Sequence, residues 1–232
     1  MHALNKLFDK VVCINLAERP DKRELMQKKF DSLGIEVQWF TAVQYGFAKK
    51  VVGSIINGKS GHFNINQPNE IGAALSHYTV IKQALVEGKR NIFVFEDDVK
   101  FHKDFNSKFD SYMSDLPANY DVMMLYSFMY NILPENQRVS KKWMRSYKSW
   151  SLMAYGMNKR AMEEYIKRQD EFFTISDMVT YQMQENSGLN MYSAVPALCI
   201  PAANSSNIRA QANYIQNPTV INFGYADDHY ED

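Results

Sequence analysis

Short apolar runs alternate with longer amphipathic segments along the chain. Residues 10–16 (KVVCINL) and 91–96 are short runs rich in β-branched or aromatic residues, which is typical of buried strands. Another strand is predicted at 37–43, and residues 20–34 predict a helix with proline near its start and glycine at its end. This β-α-β order favours a parallel sheet with helical crossovers.

The rest of the chain continues the alternation. Further strands are predicted at 120–127, 152–158 and 189–195, and further helices at 69–88, at 159–168 and from a capping Ser176. Residues 44–68 contain four glycines and little helical periodicity, so they predict a long loop, mobile over 45–66, that closes over a ligand. The sequence therefore predicts one α/β domain over residues 1–200, with an irregular tail at 201–232 packed on it.

Charge and composition narrow the function classes. Lys and Arg total 26 and Asp and Glu total 26, so no overall field attracts nucleic acid or an anionic membrane. The apolar fraction of 46% indicates a folded domain, and the longest apolar runs are too short to span a bilayer. The N-terminus lacks the pattern of a secretory signal. We expect a cytoplasmic protein with no nucleic-acid partner and no transmembrane segment, with Cys13 and Cys199 as buried thiols, and we leave peripheral membrane contact open.

Three consecutive carboxylates, Glu96, Asp97 and Asp98, end the apolar run IFVF. In a parallel sheet, ligands bind at the carboxyl edge, where this run ends. Like charges this close need solvent, hydrogen-bond donors or a cation nearby. If the chain stays extended, Glu96 and Asp98 point to the same side, which suits Mn²⁺ or Mg²⁺. The alternative is that the acids only solvate a turn before the next helix.

Three motifs occur in order along the chain: INLAERPDKR at 14–23, NEIGAALSH at 69–77 and VFEDDV at 94–99. Together they make the chain similar to glycosyltransferase family 25, the lipooligosaccharide and collagen galactosyltransferase-type enzymes. The resemblance implies a GT-A-like fold, a mixed and mostly parallel sheet flanked by helices around a Rossmann-like nucleotide-binding core. It also implies transfer, with inversion, of galactose or glucose from a UDP-sugar to a glycan or glycolipid acceptor such as lipooligosaccharide. Gln44 departs from the family, in which an acidic residue is common at this position.

The resemblance also implies roles for particular residues. Glu96 and Asp98 would hold Mn²⁺ or Mg²⁺, which stabilises the leaving UDP. Asp177 would be the catalytic base, and Asp97 would touch the sugar or hold the turn. The predicted donor-binding residues are Asn15, Leu16, Arg19, Arg23, Glu70, Ser76 and His77.

Most of these assignments have a structural alternative. Arg19 and Arg23 can equally be solvated cations on a helix surface, although a helix N-terminus favours an anion beside them. His77 can be a core histidine whose hydrogen bonds are satisfied. Asp177 can be a helix cap together with Ser176.

Residues 138–150 mix five cations with Trp143, Tyr147 and Trp150. Such a segment can contact an acceptor glycan through its aromatic faces, or its tryptophans can fill the core. Two other functions also remain open. One is a metal-dependent nucleotidyltransferase, and the other is a catalytically silent nucleotide- or sugar-binding module on the same fold.

Overall fold

A computed structural model describes residues 2–44, 68–129, 137–171, 173–202 and 229–231. The predicted lid at 45–66 and most of the predicted tail lie outside these residues. Where the tail is described, the Tyr230 hydroxyl donates a hydrogen bond of 2.8 Å to the Ala197 carbonyl. Within the described ranges, no helix is both long and apolar enough to cross a bilayer.

The elements follow the predicted alternation. The helices are α1 (Ala3–Leu7), α2 (Pro20–Leu33), α3 (Pro68–Val86), α4 (Phe105–Met113), α5 (Lys159–Glu171) and α6 (Ser176–Asn186). The strands are β1 (Val11–Asn15), β2 (Gln38–Thr41), β3 (Asn91–Glu96), β4 (Val99–Phe101), β5 (Val122–Met124), β6 (Phe128–Met129), β7 (Trp143–Arg145), β8 (Ser149–Trp150), β9 (Ala154–Asn158), β10 (Met191–Ala194) and β11 (Cys199–Pro201). The two-residue strands β6 and β8 are too short to produce a periodic pattern, and they were not predicted.

Seven strands form one sheet in the order β2-β1-β3-β9-β5-β10-β7. β1 pairs in parallel with β2 and β3, and β5 pairs in parallel with β10. β9 lies antiparallel between β3 and β5, and β7 is antiparallel to β10. Five of the seven strands therefore run in one direction, which confirms the predicted GT-A-like class of mixed, mostly parallel sheet flanked by helices.

The sheet is covered by helices on both faces. Alternate residues of β3 point to opposite sides: Phe93 and Phe95 pack with α2 and α4, and Ile92 and Val94 pack with α3, α5 and α6. All four side chains have 0% exposure. Burial on both faces explains why this strand is a continuous apolar run and why its polar residues come only after the run, at the edge of the sheet.

Two helix starts bear on the site. α2 begins at Pro20, as predicted, and ends at Gly34, whose φ of 70° is a left-handed conformation that favours glycine. The prediction that Ser176 caps α6 is wrong. Ile175 is the capping residue, and Ser176 is the first helical residue, whose hydroxyl accepts a hydrogen bond from Tyr165 at 3.0 Å.

Gly156 lies in the middle of β9, where Phe8 and Phe93 close over it. A Cβ at this position would come 2.5 Å from Cζ of Phe8 and 3.1 Å from Cδ2 of Phe93. The Phe8 ring is itself packed edge-on against Phe93, with centroids 5.2 Å apart, so it has little room to move. The absence of a side chain at Gly156 therefore allows α1 and its following loop to close over the sheet.

We expect Gly156→Ala to lower the free energy of unfolding by about 1–3 kcal/mol, because the added methyl group overpacks this contact. Urea unfolding measures the change. The matched control is Phe8→Leu, alone and combined with Gly156→Ala, because a smaller side chain at position 8 should absorb part of the penalty. Strictly additive effects in the double mutant would contradict the assigned contact.

Candidate functional site

The ends of β1 and β3 meet at the carboxyl edge of the sheet. Ile14 pairs with Glu96, so Asn15 lies beside Asp97. The Asn15 amide donates a hydrogen bond of 2.7 Å to Asp97 Oδ2 and another of 3.1 Å to the Arg19 carbonyl. Asn15 is thus a buried link between the acidic turn and the first turn of α2.

A lysine ammonium compensates the crowded acids. Lys22, on the first turn of α2, is only 5% exposed. Its Nζ lies 3.2 Å from Asp97 Oδ1 and 4.0 Å from Asp98 Oδ2. Of the three means of compensation considered from the sequence, the described residues supply two, a cation from Lys22 and a hydrogen-bond donor from Asn15.

Glu96 points away from the two aspartates. Its Oε1 lies 3.1 Å from Nε2 of His77, which belongs to α3 on the other face of the sheet. The expectation that Glu96 and Asp98 share one side is wrong, because the chain does not stay extended. Residues 97–98 form a turn that directs both aspartates to Lys22.

Glu96, His77 and Tyr155 form a hydrogen-bonded chain. Nδ1 of His77 lies 2.9 Å from the Tyr155 hydroxyl, and His77 and Tyr155 are 2% and 0% exposed. A carboxylate can only accept and a phenol can donate, so the His77 tautomer with its proton on Nε2 satisfies both contacts, donating to Glu96 and accepting from Tyr155 at Nδ1. Burial raises the pKa of Tyr155 well above its usual value, with smaller contributions from nearby groups including Glu96 and Asp177, so the phenol stays protonated. The chain of bonds fixes the orientation of Glu96.

Two of the three predicted donor-binding residues on α3, Ser76 and His77, are buried. Both ring nitrogens of His77 are bonded inside the protein, which is the satisfied core histidine of the alternative interpretation. Ser76 is 0% exposed, and its hydroxyl accepts from the Val43 amide and donates to the Gly72 carbonyl. The polar atoms of both side chains are therefore engaged inside the protein and do not face a bound sugar donor. Glu70 lies in the first turn of α3 and is partly exposed.

A cavity of about 200 Å³ opens beside Asn15, between β1, β2 and α2. It is lined by Asn15, Ala17, Pro20, Arg23, Trp39, Phe40 and Thr41. The guanidinium carbon of Arg23 lies 5.0 Å from the centroid of the Trp39 ring, which is a cation–π distance. Of the predicted donor residues, the structure brings Asn15 and Arg23 together at this cavity.

Two predicted donor residues lie in the turn before α2 but do not line the cavity. The backbone carbonyl of Leu16 accepts a hydrogen bond of 2.9 Å from the Arg19 amide, which closes the turn. The Arg19 side chain pairs with Asp21 at 2.7 Å and lowers the pKa of Asp21 to about 2. This placement agrees with the alternative in which Arg19 is a solvated surface cation.

Asp177 is the second residue of α6, on the face of the sheet that Glu96 also occupies. Burial raises the pKa of Tyr165 to about 12, and the charge of Asp177 adds to this increase. Asp177 also contributes to the raised pKa of Tyr155. Its carboxylate therefore lies within electrostatic reach of the phenol that orients His77.

The carboxylates at the edge of the sheet are candidate ligands for a divalent cation. Within the described ranges, no group of three or more His, Cys, Asp or Glu side chains is arranged to hold a metal ion. Asp97 is held by Asn15 and Lys22, whereas Asp98 has the longer, 4.0 Å contact with the ammonium. Mg²⁺ typically binds one or two carboxylates together with substrate phosphates. The carboxylates of the described residues would fit a cation that arrives with a diphosphate.

Three residues at this edge were missed by sequence reasoning. Lys22 lies inside the motif INLAERPDKR, but its ion pairs with Asp97 and Asp98 depend on the turn at 97–98, which the sequence pattern does not predict. Trp39 lies within the strand predicted at 37–43, and its role follows from the cavity. Tyr155 carried no signal, because its position depends on β9 running antiparallel beside β3.

Comparison with known sequences identifies the family. A profile described as glycosyltransferase family 25 (LPS biosynthesis protein) matches residues 8–185. The chain belongs to glycosyltransferase family 25. The family predicted from the three motifs is confirmed.

Relatives and solved structures are similar over part of their length. The human protein named inactive glycosyltransferase 25 family member 3 is 30% identical over 118 residues, 48% of this chain and 20% of that protein. A glycosyltransferase 25 family member of Drosophila melanogaster is 30% identical over 105 residues, 42% of this chain and 17% of that protein. The chain thus matches about a fifth of the length of these relatives. A solved glycosyltransferase involved in the glycosylation of the major capsid of PBCV-1 is 12% identical with a TM-score of 0.47, covering 85% of this chain and 93% of that one.

We expect Lys22→Met to lower the free energy of unfolding by about 2–3 kcal/mol, because it leaves two crowded and largely buried carboxylates without their cation. Urea unfolding at neutral pH measures the change. Lys28→Met is the matched control on the same helix, because Lys28 pairs with Glu24 where both side chains are 71% exposed. Equal effects of the two substitutions would show that Lys22 does not stabilise the acidic turn.

Proposed function

We propose that this chain transfers a hexose, galactose or glucose, from a UDP-sugar to a hydroxyl group of a glycan or glycolipid, with inversion at the anomeric carbon. One observation carries the proposal: the cavity is lined by Asn15, whose side-chain amide donates a hydrogen bond to Asp97 in the turn that pairs with Lys22. A cavity next to paired charges suits a donor whose diphosphate must leave as an anion. The family description, LPS biosynthesis protein, supports a glycolipid acceptor.

The cavity suits the nucleoside end of the donor. Trp39 and Arg23 offer a planar aromatic and a planar guanidinium to a uracil ring. The N-terminus of α2 borders the same cavity through Pro20, and a helix N-terminus favours an anionic group. In this arrangement the base lies against Trp39 and the diphosphate lies toward the acidic turn.

The departing UDP gains negative charge as the anomeric bond breaks. Lys22 is a cation already held at this point, and Asp97 with Asn15 keeps it in place. Asp97 therefore positions Lys22 and is unsuited to act as a base. Asp98 is the carboxylate that would hold Mn²⁺ or Mg²⁺ when the cation comes with the donor. Such a cation supplies Lewis-acid stabilisation of the leaving diphosphate.

Inversion requires a base on the side of the sugar opposite UDP. Asp177 lies on α6, across the sheet from α2 and Lys22, so it approaches from the opposite direction. Glu96 lies on the same side as Asp177, and His77 with Tyr155 keeps its carboxylate in one orientation. We assign Asp177 to proton abstraction from the acceptor and Glu96 to hydrogen bonding with hydroxyl groups of the transferred sugar.

A second candidate function is donor binding without transfer. The human and bovine relatives are named inactive or probable inactive family members, which favours testing this function directly. A silent module would bind UDP in the same cavity but release no UDP from any UDP-sugar. A nucleotidyltransferase would instead release pyrophosphate from a nucleoside triphosphate.

We expect UDP release from UDP-galactose or UDP-glucose, in the presence of a glycan acceptor, to fall by about two to four orders of magnitude in Asp177→Asn, because the base is lost. The affinity for UDP, measured by calorimetry, should stay unchanged, because the lost interaction belongs to the transition state. Asp170→Asn, which changes an exposed carboxylate on α5, is the matched control. Near-normal turnover in Asp177→Asn would show that Asp177 is not the base and only stabilises the first turn of α6. If the wild type binds UDP but releases none from a UDP-sugar, the chain is a donor-binding module without transferase activity.

We expect Mn²⁺ to strengthen UDP binding to the wild type and to have no such effect in Asp98→Asn, because the only carboxylate assigned to the cation is removed. Glu96→Gln should keep the Mn²⁺ effect, since Glu96 is directed toward His77. Calorimetric titration of UDP with and without Mn²⁺ measures both. If Glu96→Gln loses the Mn²⁺ effect, Glu96 and Asp98 both bind the cation, as the extended chain predicted. If Asp98→Asn keeps the effect, Asp98 is not a metal ligand.

A further inference from the structure

The partly exposed face of α6 carries a carboxylate and an aromatic ring one turn apart. Val179, Thr180 and Met183 are buried against the sheet. Asp177 and Tyr181 are one turn apart on the partly exposed side, and positions separated by four residues are neighbours on a helix. An aromatic ring therefore stands next to the carboxylate that we assign as the base.

A tryptophan from another element meets Tyr181. The rings of Trp150 and Tyr181 have centroids 5.2 Å apart and an interplanar angle of 42°, and both side chains are partly exposed. Trp150 ends β8, and the chain reaches the sheet edge three residues later, where the Met153 carbonyl accepts a hydrogen bond of 2.8 Å from the Glu96 amide. The aromatic pair thus lies at the same edge as Glu96 and Asp177.

The backbone that carries Trp150 is held in an unusual conformation. Lys148 and Ser151, on either side of β8, have φ values of 48° and 98°, which non-glycine residues rarely adopt. Gln184 of α6 clamps Ser149 between them. Its Oε1 accepts from the Ser149 amide and hydroxyl at 3.0 and 3.1 Å, and its Nε2 donates to the Ser149 carbonyl at 2.8 Å. Such backbone is maintained only where surrounding bonds enforce it, and it is concentrated at functional sites.

The other tryptophan of this segment serves the core. Trp143 is 0% exposed and its indole nitrogen donates to the Tyr112 carbonyl at 2.8 Å. Trp150 is instead partly exposed, and Tyr147 is 43% exposed with Lys148 Nζ 5.3 Å from its ring centroid. The two interpretations of residues 138–150 therefore apply to different residues. Packing explains Trp143 and leaves Trp150 for another role.

We propose that Trp150 and Tyr181, beside Asp177, form the subsite for the acceptor, and that its ligand is a pyranose ring at the end of a glycan. The C–H groups on one face of a pyranose carry partial positive charge and pack on aromatic faces, which carry partial negative charge. Lys148, whose Nζ lies 5.3 Å from the Tyr147 ring centroid, adds a hydrogen-bond donor for sugar hydroxyl groups two residues before Trp150. This inference rests on the proposed function, because Asp177 gives the bound ring its reacting partner.

The layout of the sheet separates this subsite from the donor cavity. The cavity is lined by residues of β1, β2 and the start of α2, whereas Trp150 and Tyr181 belong to β8 and α6. A donor and an acceptor can therefore approach Glu96 and Asp177 from two sides. Trp39 and Trp150 are the aromatic groups of the two sides, which makes them a matched pair for mutation.

The test measures sugar binding without requiring transfer. Methyl glycosides of galactose, glucose and N-acetylglucosamine are titrated to about 50 mM against the full chain with UDP present, and binding is followed by saturation-transfer NMR. Sorbitol, which has hydroxyl groups but no ring, is the ligand control. The variants are Trp150→Ala, Tyr181→Ala, the ring-retaining Trp150→Phe and Tyr181→Phe, and Trp39→Ala. Circular dichroism confirms folding of each.

We expect at least one glycoside to bind the wild type, to bind about tenfold or more weakly to both alanine variants, and to bind normally to Tyr181→Phe and Trp39→Ala. Trp150→Phe should bind between these limits, which keeps the test valid if an alanine variant does not fold. Equal binding by all variants, binding of sorbitol as strong as that of the glycosides, or no glycoside binding to the wild type would overturn the subsite. UDP affinity is measured in the same samples, so failure of the donor site is recorded separately.

Discussion

The ion pair between Lys22 and the acidic turn is the interaction on which the rest of the site depends. Carboxylates that follow directly after a buried strand have little solvent, and like charges at this spacing oppose folding. Lys22 reaches them because α2 starts five residues after β1 ends and crosses over the end of β3. The same cation links α2 to the turn that follows β3, and Asn15 connects this turn to the cavity. The Lys22 ammonium therefore stabilises the acidic turn and also contributes a positive charge to the proposed donor site.

The alternation of β3 divides the edge into two chemical environments. Glu96 and Asp97 are adjacent in the chain, but one faces His77 and the other faces Asn15 and Lys22. The environment near α2 contains the cations and the cavity. The environment near α3 and α6 contains Glu96, which His77 contacts, and Asp177. In the proposed reaction, the donor would use one side of the sheet and the acceptor the other.

Much of the fold could be predicted, because the apolar runs are long enough to identify strands and helices, and because Pro20 and Gly34 mark the ends of α2. The family followed from three motifs in order. The arrangement of the acids could not be predicted, since it depends on a turn at 97–98 that the local pattern does not specify. The roles of Tyr155 and Trp150 depend on β9 entering the sheet antiparallel and on β8, which is only two residues long. Ser76 and His77 lay in a recognised motif, yet the motif does not reveal that their polar atoms face inward.

Cys13 lies directly beneath the acidic turn, with Sγ 3.8 Å from the Glu96 carbonyl and 0% exposure. Burial is the main cause of its raised pKa, and the charges of Asp97, Asp98 and Glu96 raise it further. A thiol in this state reacts with alkylating reagents only when the chain above it opens. The rate at which Cys13 is alkylated in the native protein therefore reports how often the sheet edge opens. A bound sugar donor that stabilises the acidic turn would lower this rate.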